Sequence, residues 1–151
     1  MGYQGRTATG KEPFAMILRT CTMLCLLTAP AAADVWSFAT PSGNIECWVG
    51  EEAGSSDIDC TILSRSKPAS VPGLESCPLG QGIGFRMADT GPVTATCLAP
   101  GHRHSGGQHV ADYGVTGQFG GFVCRSSTAG LECRNQSGRG FFLSRALQRA
   151  F

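Results

Sequence analysis

The sequence predicts an all-β fold: a single small disulfide-stapled domain of short strands and hairpins. Three observations carry that prediction. Short β-branched and aromatic runs recur along the chain, each bounded by Gly, Pro, Ser or Asn. No stretch before residue 140 keeps a 3.6-residue apolar period. Eight cysteines in 151 residues, with only 15% of the chain charged, suit an exported, covalently stapled protein better than a cytosolic one. The same composition, with 21 glycines and a net charge of +1, excludes a collagen, a coiled coil and a charged disordered tail. A polytopic membrane protein is excluded as well, because no apolar run reaches the roughly 18 residues of a spanning helix.

The first segment is read as targeting rather than structure. Arg19 supplies a positive start, Cys21 to Leu27 form a short apolar core, Pro30 breaks the helix, and Ala31-Ala32-Ala33 offers a small-residue cleavage site before Asp34. That is the layout of a secretory signal peptide. Residues 1–15 do not fit it, and Met16 is the expected true start. Cys21 and Cys25 lack the small residue that precedes a lipidated cysteine, so both are read as part of the leader. Cleavage near Ala33-Asp34 leaves a mature domain, 34–151, of 118 residues with six cysteines and a net charge of −1. The expected destination is the bacterial periplasm or the medium, with no transmembrane segment in the mature chain.

Eight strands are expected in the mature domain: Val35–Ala39, Ile45–Val49, Ile58–Leu63, Ile83–Met87, Val93–Leu98, Gly120–Arg125, Leu131–Asn135 and Gly140–Leu143. Pro41-Ser42-Gly43-Asn44 is turn chemistry between the first two, and Ser126–Gly130 plays the same part between the sixth and seventh. In the last of the eight strands Phe141 and Leu143 share one face, with Phe142 opposite. Ser144 is placed to cap one short C-terminal helix over Ser144–Phe151, the single helical expectation. Ser64–Gly82 and Ala99–Gly107 read as loops. Gly43-Asn44-Ile45-Glu46-Cys47 parallels Ala129-Gly130-Leu131-Glu132-Cys133. Two independent hairpins with similar turns explain that likeness better than a repeat does.

Cys47, Cys60, Cys77, Cys97, Cys124 and Cys133 can pair in fifteen ways. Spacing favours neighbours, 47–60, 77–97 and 124–133, because the first and third pairs each clip a strand–loop–strand unit. Closing a loop of roughly 15 residues removes about 3 kcal/mol of unfolded-chain entropy, which matters for a small glycine-rich domain. No C-x-x-C and no zinc-knuckle spacing occurs, so a metal or redox role for these cysteines is set aside.

Chemistry-bearing residues are few. His102, His104 and His109 cluster with Asp112, and an H-x-H pair on an extended segment aims both rings one way. Such a group suits Zn²⁺ or Cu²⁺, although a solvated Gly-rich loop is the plainer reading. Charge is segregated. Asp34 to Glu75 carries a net −5 and Ser76 to Phe151 a net +4. Five arginines follow residue 124, among them Arg134, Arg139 and Arg145, and their planar forks suit carboxylate or phosphate recognition. The plainer reading is that the acidic front and basic back face each other across the fold. No G-x-S-x-G elbow occurs, and Gly80-Gln81-Gly82-Ile83-Gly84 has no following helix to make a phosphate site.

The opening Phe38-Ala39-Thr40-Pro41-Ser42-Gly43-Asn44-Ile45-Glu46-Cys47 is distinctive. So is the end, from Tyr113-Gly114 through Gly130-Leu131-Glu132-Cys133 to Gly140-Phe141-Phe142-Leu143-Ser144-Arg145. Together they resemble a family of small exported bacterial domains of unknown function. The resemblance covers Phe38 to Phe151, although Ser64 to Ala111 matches poorly. It implies export, disulfide-forming cysteines and a β-rich fold, and brings no activity or cofactor.

The function expected from the sequence is a non-enzymatic binding module for a protein or an anionic envelope polymer, with Arg134, Arg139 and Arg145 as ligand contacts. The alternatives are a periplasmic metal-binding protein using His102, His104, His109 and Asp112, and a hydrolase whose site assembles only in three dimensions. No cofactor and no nucleic acid is expected. Non-reducing peptide mapping checks the staples: the sequential pattern predicts three local cross-links, and a bond joining Cys47 to Cys124 or Cys133 would contradict it.

Overall fold

The apolar runs pair into two sheets. A computed structural model describes residues 34–102 and 109–151. The expected leader, residues 1–33, and His104 lie outside the described residues. The strands are β1 (Asp34–Ala39), β2 (Ile45–Glu52), β3 (Ser55–Ile62), β4 (Ile83–Ala88), β5 (Thr94–Cys97), β6 (His109–Val110), β7 (Thr116–Phe119), β8 (Phe122–Ser127), β9 (Gly130–Arg134), β10 (Gly140–Leu143) and β11 (Gln148–Ala150). The first sheet has the order β5-β4-β3-β2-β1-β6 and the second β11-β10-β9-β8-β7. Both are antiparallel meanders, except that the two-residue β6 runs parallel to β1.

Period-two alternation decides what each strand buries. Val49, Ile58, Ile62, Ile83 and Phe85 of the first sheet are fully buried, as are Phe122, Leu131, Phe141 and Leu143 of the second. All join one core, and Phe85 meets Phe141 across it with ring centroids 5.7 Å apart. The architecture is therefore a β-sandwich with apolar inner faces. Phe142 turns away from this core and is half-buried, as alternation requires. Gly140 opposes Arg134, and a side chain there would collide with the Cys133 carbonyl oxygen.

Disulfides join Cys47 to Cys60, Cys77 to Cys97 and Cys124 to Cys133. The first and third link residues directly opposite each other on neighbouring strands, each with a Cα–Cα separation of 4.1 Å. Antiparallel strands bring side chains closest at such non-hydrogen-bonded pairs. The second clips the irregular segment between β3 and β4 to the edge strand β5. Three disulfides fit an oxidising, non-cytoplasmic compartment. Among the described residues, no helix is long and apolar enough to cross a membrane.

The expected C-terminal helix is corrected. Among the described residues there is no helix, and Gln148–Ala150 form β11 beside β10. The capping chemistry of Ser144 serves a turn instead: its hydroxyl accepts from the Leu147 N–H at 3.1 Å and donates to the Leu147 carbonyl at 3.2 Å. The tail then gains ladder bonds that a helix would forgo, and Phe151 and Gly140 exchange N–H···O bonds in both directions at 2.9 Å. Two further strands, β6 and β7, carry no strand signal in the sequence, because His109-Val110 is too short and Thr-Gly-Gln-Phe lacks a β-branched run.

Buried polar side chains hold the connections. Asn44 accepts from the Ser64 N–H at 2.9 Å and donates to the Ser64 carbonyl at 3.1 Å. Asn135, in the β9–β10 turn, donates to the Ala88 and Gly91 carbonyls at 3.0 Å each, tying the second sheet to the first. Arg65 is buried, and its Nη2 donates to the carbonyls of Cys77, Pro78 and Gln81. Desolvation lowers its pKa below the usual arginine value. Phe141→Ala is expected to cost about 3–5 kcal/mol in urea denaturation, and Phe142→Ala well under half of that. Equal costs would contradict the inward and outward assignment.

Candidate functional site

With the inner faces filled by apolar side chains, charge has to sit outside. On the outer face of the second sheet, register sets Arg125 opposite Glu132, Glu132 opposite Phe142, and Phe142 opposite Arg149. Two residues along each strand the same face continues with Val123, Arg134 and Phe151. Arg125, Arg134 and Arg149 are exposed. Arg134 Nε donates to Glu132 Oε1 at 2.9 Å, and its guanidinium lies 4.4 Å from the centre of the Phe151 ring. Arg149 stands over the same ring at 5.4 Å. The face holds three guanidinium groups and two phenyl rings, and Glu132 is its only acidic side chain among the described residues.

This arrangement differs from the expected one. Arg134, Arg139 and Arg145 do not come together. Arg139 lies in the β9–β10 turn and Arg145 in the β10–β11 turn, at opposite ends of the sandwich. Arg125 and Arg149 take their places beside Arg134. The signal that joins these three is period-two spacing combined with strand register; the expected Cys124–Cys133 pairing carries the register of β8 and β9, whereas nothing in the sequence gives that of β11.

One ion pair joins the acidic front of the chain to its basic back. Arg86 pairs with Asp57 at 2.7 Å on the outer face of the first sheet, and Arg134 with Glu132 on the outer face of the second. Each pair stays within its own sheet because the surface between the sheets is apolar. A depression of about 430 Å³ at the end of the sandwich bearing Arg139 is lined by Asp34, Glu51, Glu52 and Asp89.

The histidine group divides. His102 lies against the outer face of β3 to β5, beside Asp59, Arg86 and Thr94. His109 pairs with Phe38 at the opposite edge of that sheet, next to the Trp36 and Phe119 rings. Asp112 sits in the β6–β7 loop, where its carbonyl accepts from the Val115 N–H at 3.2 Å. Among the described residues no group of three or more His, Cys, Asp or Glu side chains is placed to hold a metal ion.

A family model described as a family of unknown function (DUF6636) matches residues 18–151. No curated protein and no solved structure matches the chain. Glu132→Gln is expected to change stability by less than about 1 kcal/mol, because the Arg134–Glu132 pair is solvent-exposed. Urea denaturation checks this, and a loss above about 2 kcal/mol would mean that the pair helps hold the sheet.

Proposed function

We propose that the chain, which belongs to the DUF6636 family of unknown function, is an exported, non-enzymatic binding module that holds an anionic envelope polymer on the outer face of its second sheet. The observation that carries this reading is the gathering of Arg125, Arg134 and Arg149 on one exposed face that bears a single acidic side chain among the described residues. An open face whose charged and aromatic side chains span four neighbouring strands suits an extended ligand better than a compact one. Guanidinium forks recognise carboxylate or phosphate groups along such a chain, and the face attracts anions before contact is made. The Phe151 ring restrains two of the forks, which lowers the entropy lost when a ligand orders them.

Export to the periplasm or the medium is part of the proposal. A leader ending at Ala33 would deliver the chain to a compartment in which its three disulfides form.

The test is retention on an immobilised acidic polysaccharide across a salt gradient. Wild type is expected to be retained at low salt and released as salt rises. Single changes Arg125→Gln and Arg149→Gln should weaken retention roughly two- to fivefold each, and the triple change with Arg134→Gln more than about tenfold. A triple variant that melts normally and is retained like wild type would overturn the proposal.

A further inference from the structure

At the end of the sandwich opposite the acidic depression, three turns and one loop enclose a cleft of about 350 Å³. The β1–β2 turn supplies Ser42, the β8–β9 turn Ser127 and Thr128, the β10–β11 turn Ser144 and Arg145, and the β6–β7 loop Tyr113. That volume lies in the range of small-molecule sites. None of its lining residues is acidic. The cleft lies away from the arginine face and rests on a separate observation.

The turns that build the cleft are locked. Ser42 Oγ accepts from the Asn44 N–H at 3.3 Å, Ser127 Oγ donates to the Gly130 carbonyl at 3.0 Å, and Ser144 is bonded to Leu147 as described above. The Arg145 carbonyl accepts from both the Ser66 N–H at 2.8 Å and the Ser66 hydroxyl at 3.1 Å, which fixes its backbone. Three lining side chains then keep their polar groups unused by other described residues: the Arg145 guanidinium, the Tyr113 hydroxyl and the Thr128 hydroxyl. They arrive on three different elements and share one cleft.

From this we infer that the cleft is a binding site for a carboxylate-bearing sugar unit. A guanidinium with no carboxylate partner among the described residues is matched by a ligand carboxylate, to which it donates two parallel hydrogen bonds. The locked serine hydroxyls keep spare lone pairs, and Thr128 keeps a full hydroxyl, for the ligand's ring hydroxyls. Tyr113 is 43% exposed, and the electron-rich face of its ring can meet the C–H side of a sugar. Ile45, Ala129 and Ala146 line the rest of the wall, so the cleft has the mixed polar and apolar character of a pyranose.

Isothermal titration of the whole protein with a uronic-acid disaccharide tests the inference, with the neutral disaccharide and sodium acetate as comparisons. Saturable binding of the uronic-acid disaccharide is expected, with the neutral disaccharide and acetate each at least about tenfold weaker. Arg145→Gln should weaken binding at least about tenfold, while Tyr113→Phe and Thr128→Ala, both conservative and exposed, should weaken it about two- to fivefold. The Arg125→Gln, Arg134→Gln, Arg149→Gln variant should bind the disaccharide as wild type does, which separates this site from the polymer-binding face. No saturable binding up to roughly 10 mM would overturn the inference. So would binding that survives Arg145→Gln, or equal affinity for the neutral disaccharide or for acetate.

Discussion

Cys47 and Cys60 stand directly across from each other near the middle of one sheet, and Cys124 and Cys133 do the same in the other. All four sulfurs belong to residues buried in the shared core. A strand pair that slips by one residue turns its apolar side chains outward, so register is the first thing a thin sandwich must secure. A cross-link between opposed residues tolerates one register only. With Cys47 facing Cys60, Val49 and Ile58 point inward and Trp48 and Asp59 outward. With Cys124 facing Cys133, Leu131 points inward and Arg125, Glu132 and Arg134 outward. The arginine face is therefore a consequence of a disulfide on the other side of the same strands.

The remaining connections follow from what those two sheets leave unsatisfied. The segment between β3 and β4 has no ladder partners, and it is held by the Cys77–Cys97 bond and by the three carbonyls gathered on Arg65. A buried guanidinium without a carboxylate is costly, and three charge-assisted hydrogen bonds offset part of that cost. Asn135 closes one end of the sandwich by bonding the β9–β10 turn to carbonyls of the first sheet, and Asn44 braces the other end against Ser64. With the interior filled and the ends braced, polar chemistry is left to the outer faces and to the clefts between turns.

Much of this architecture can be read from local chemistry. β-branched and aromatic runs mark eight of the strands, and the spacing of Phe141, Phe142 and Leu143 already assigns their faces. What resists reading is anything set by pairing. Gln148–Ala150 has no strand signature of its own and is a strand only because β10 lies beside it. The capping potential of Ser144 is real but serves a turn, since a serine hydroxyl satisfies a free N–H in either setting. The similar segments ending in Cys47 and Cys133 look like a repeat, yet Cys47 is bonded to the following strand and Cys133 to the preceding one. Arg139 and Arg145 looked like companions of Arg134 by proximity in the chain, but turns carry them to opposite ends. Arg125 and Arg149 reach it through the sheet.

The proposed role of the protein depends on one outer face, displayed by the second sheet, meeting an anionic polymer. An NMR titration of the isotopically labelled, disulfide-intact protein with a soluble acidic polysaccharide tests that claim residue by residue. Shifts are expected to concentrate at the amides of Arg125, Glu132, Arg134 and Arg149, with Asp57, Asp59 and Arg86 on the far sheet unmoved. Shifts centred on the far sheet, or none at low salt, would contradict that claim.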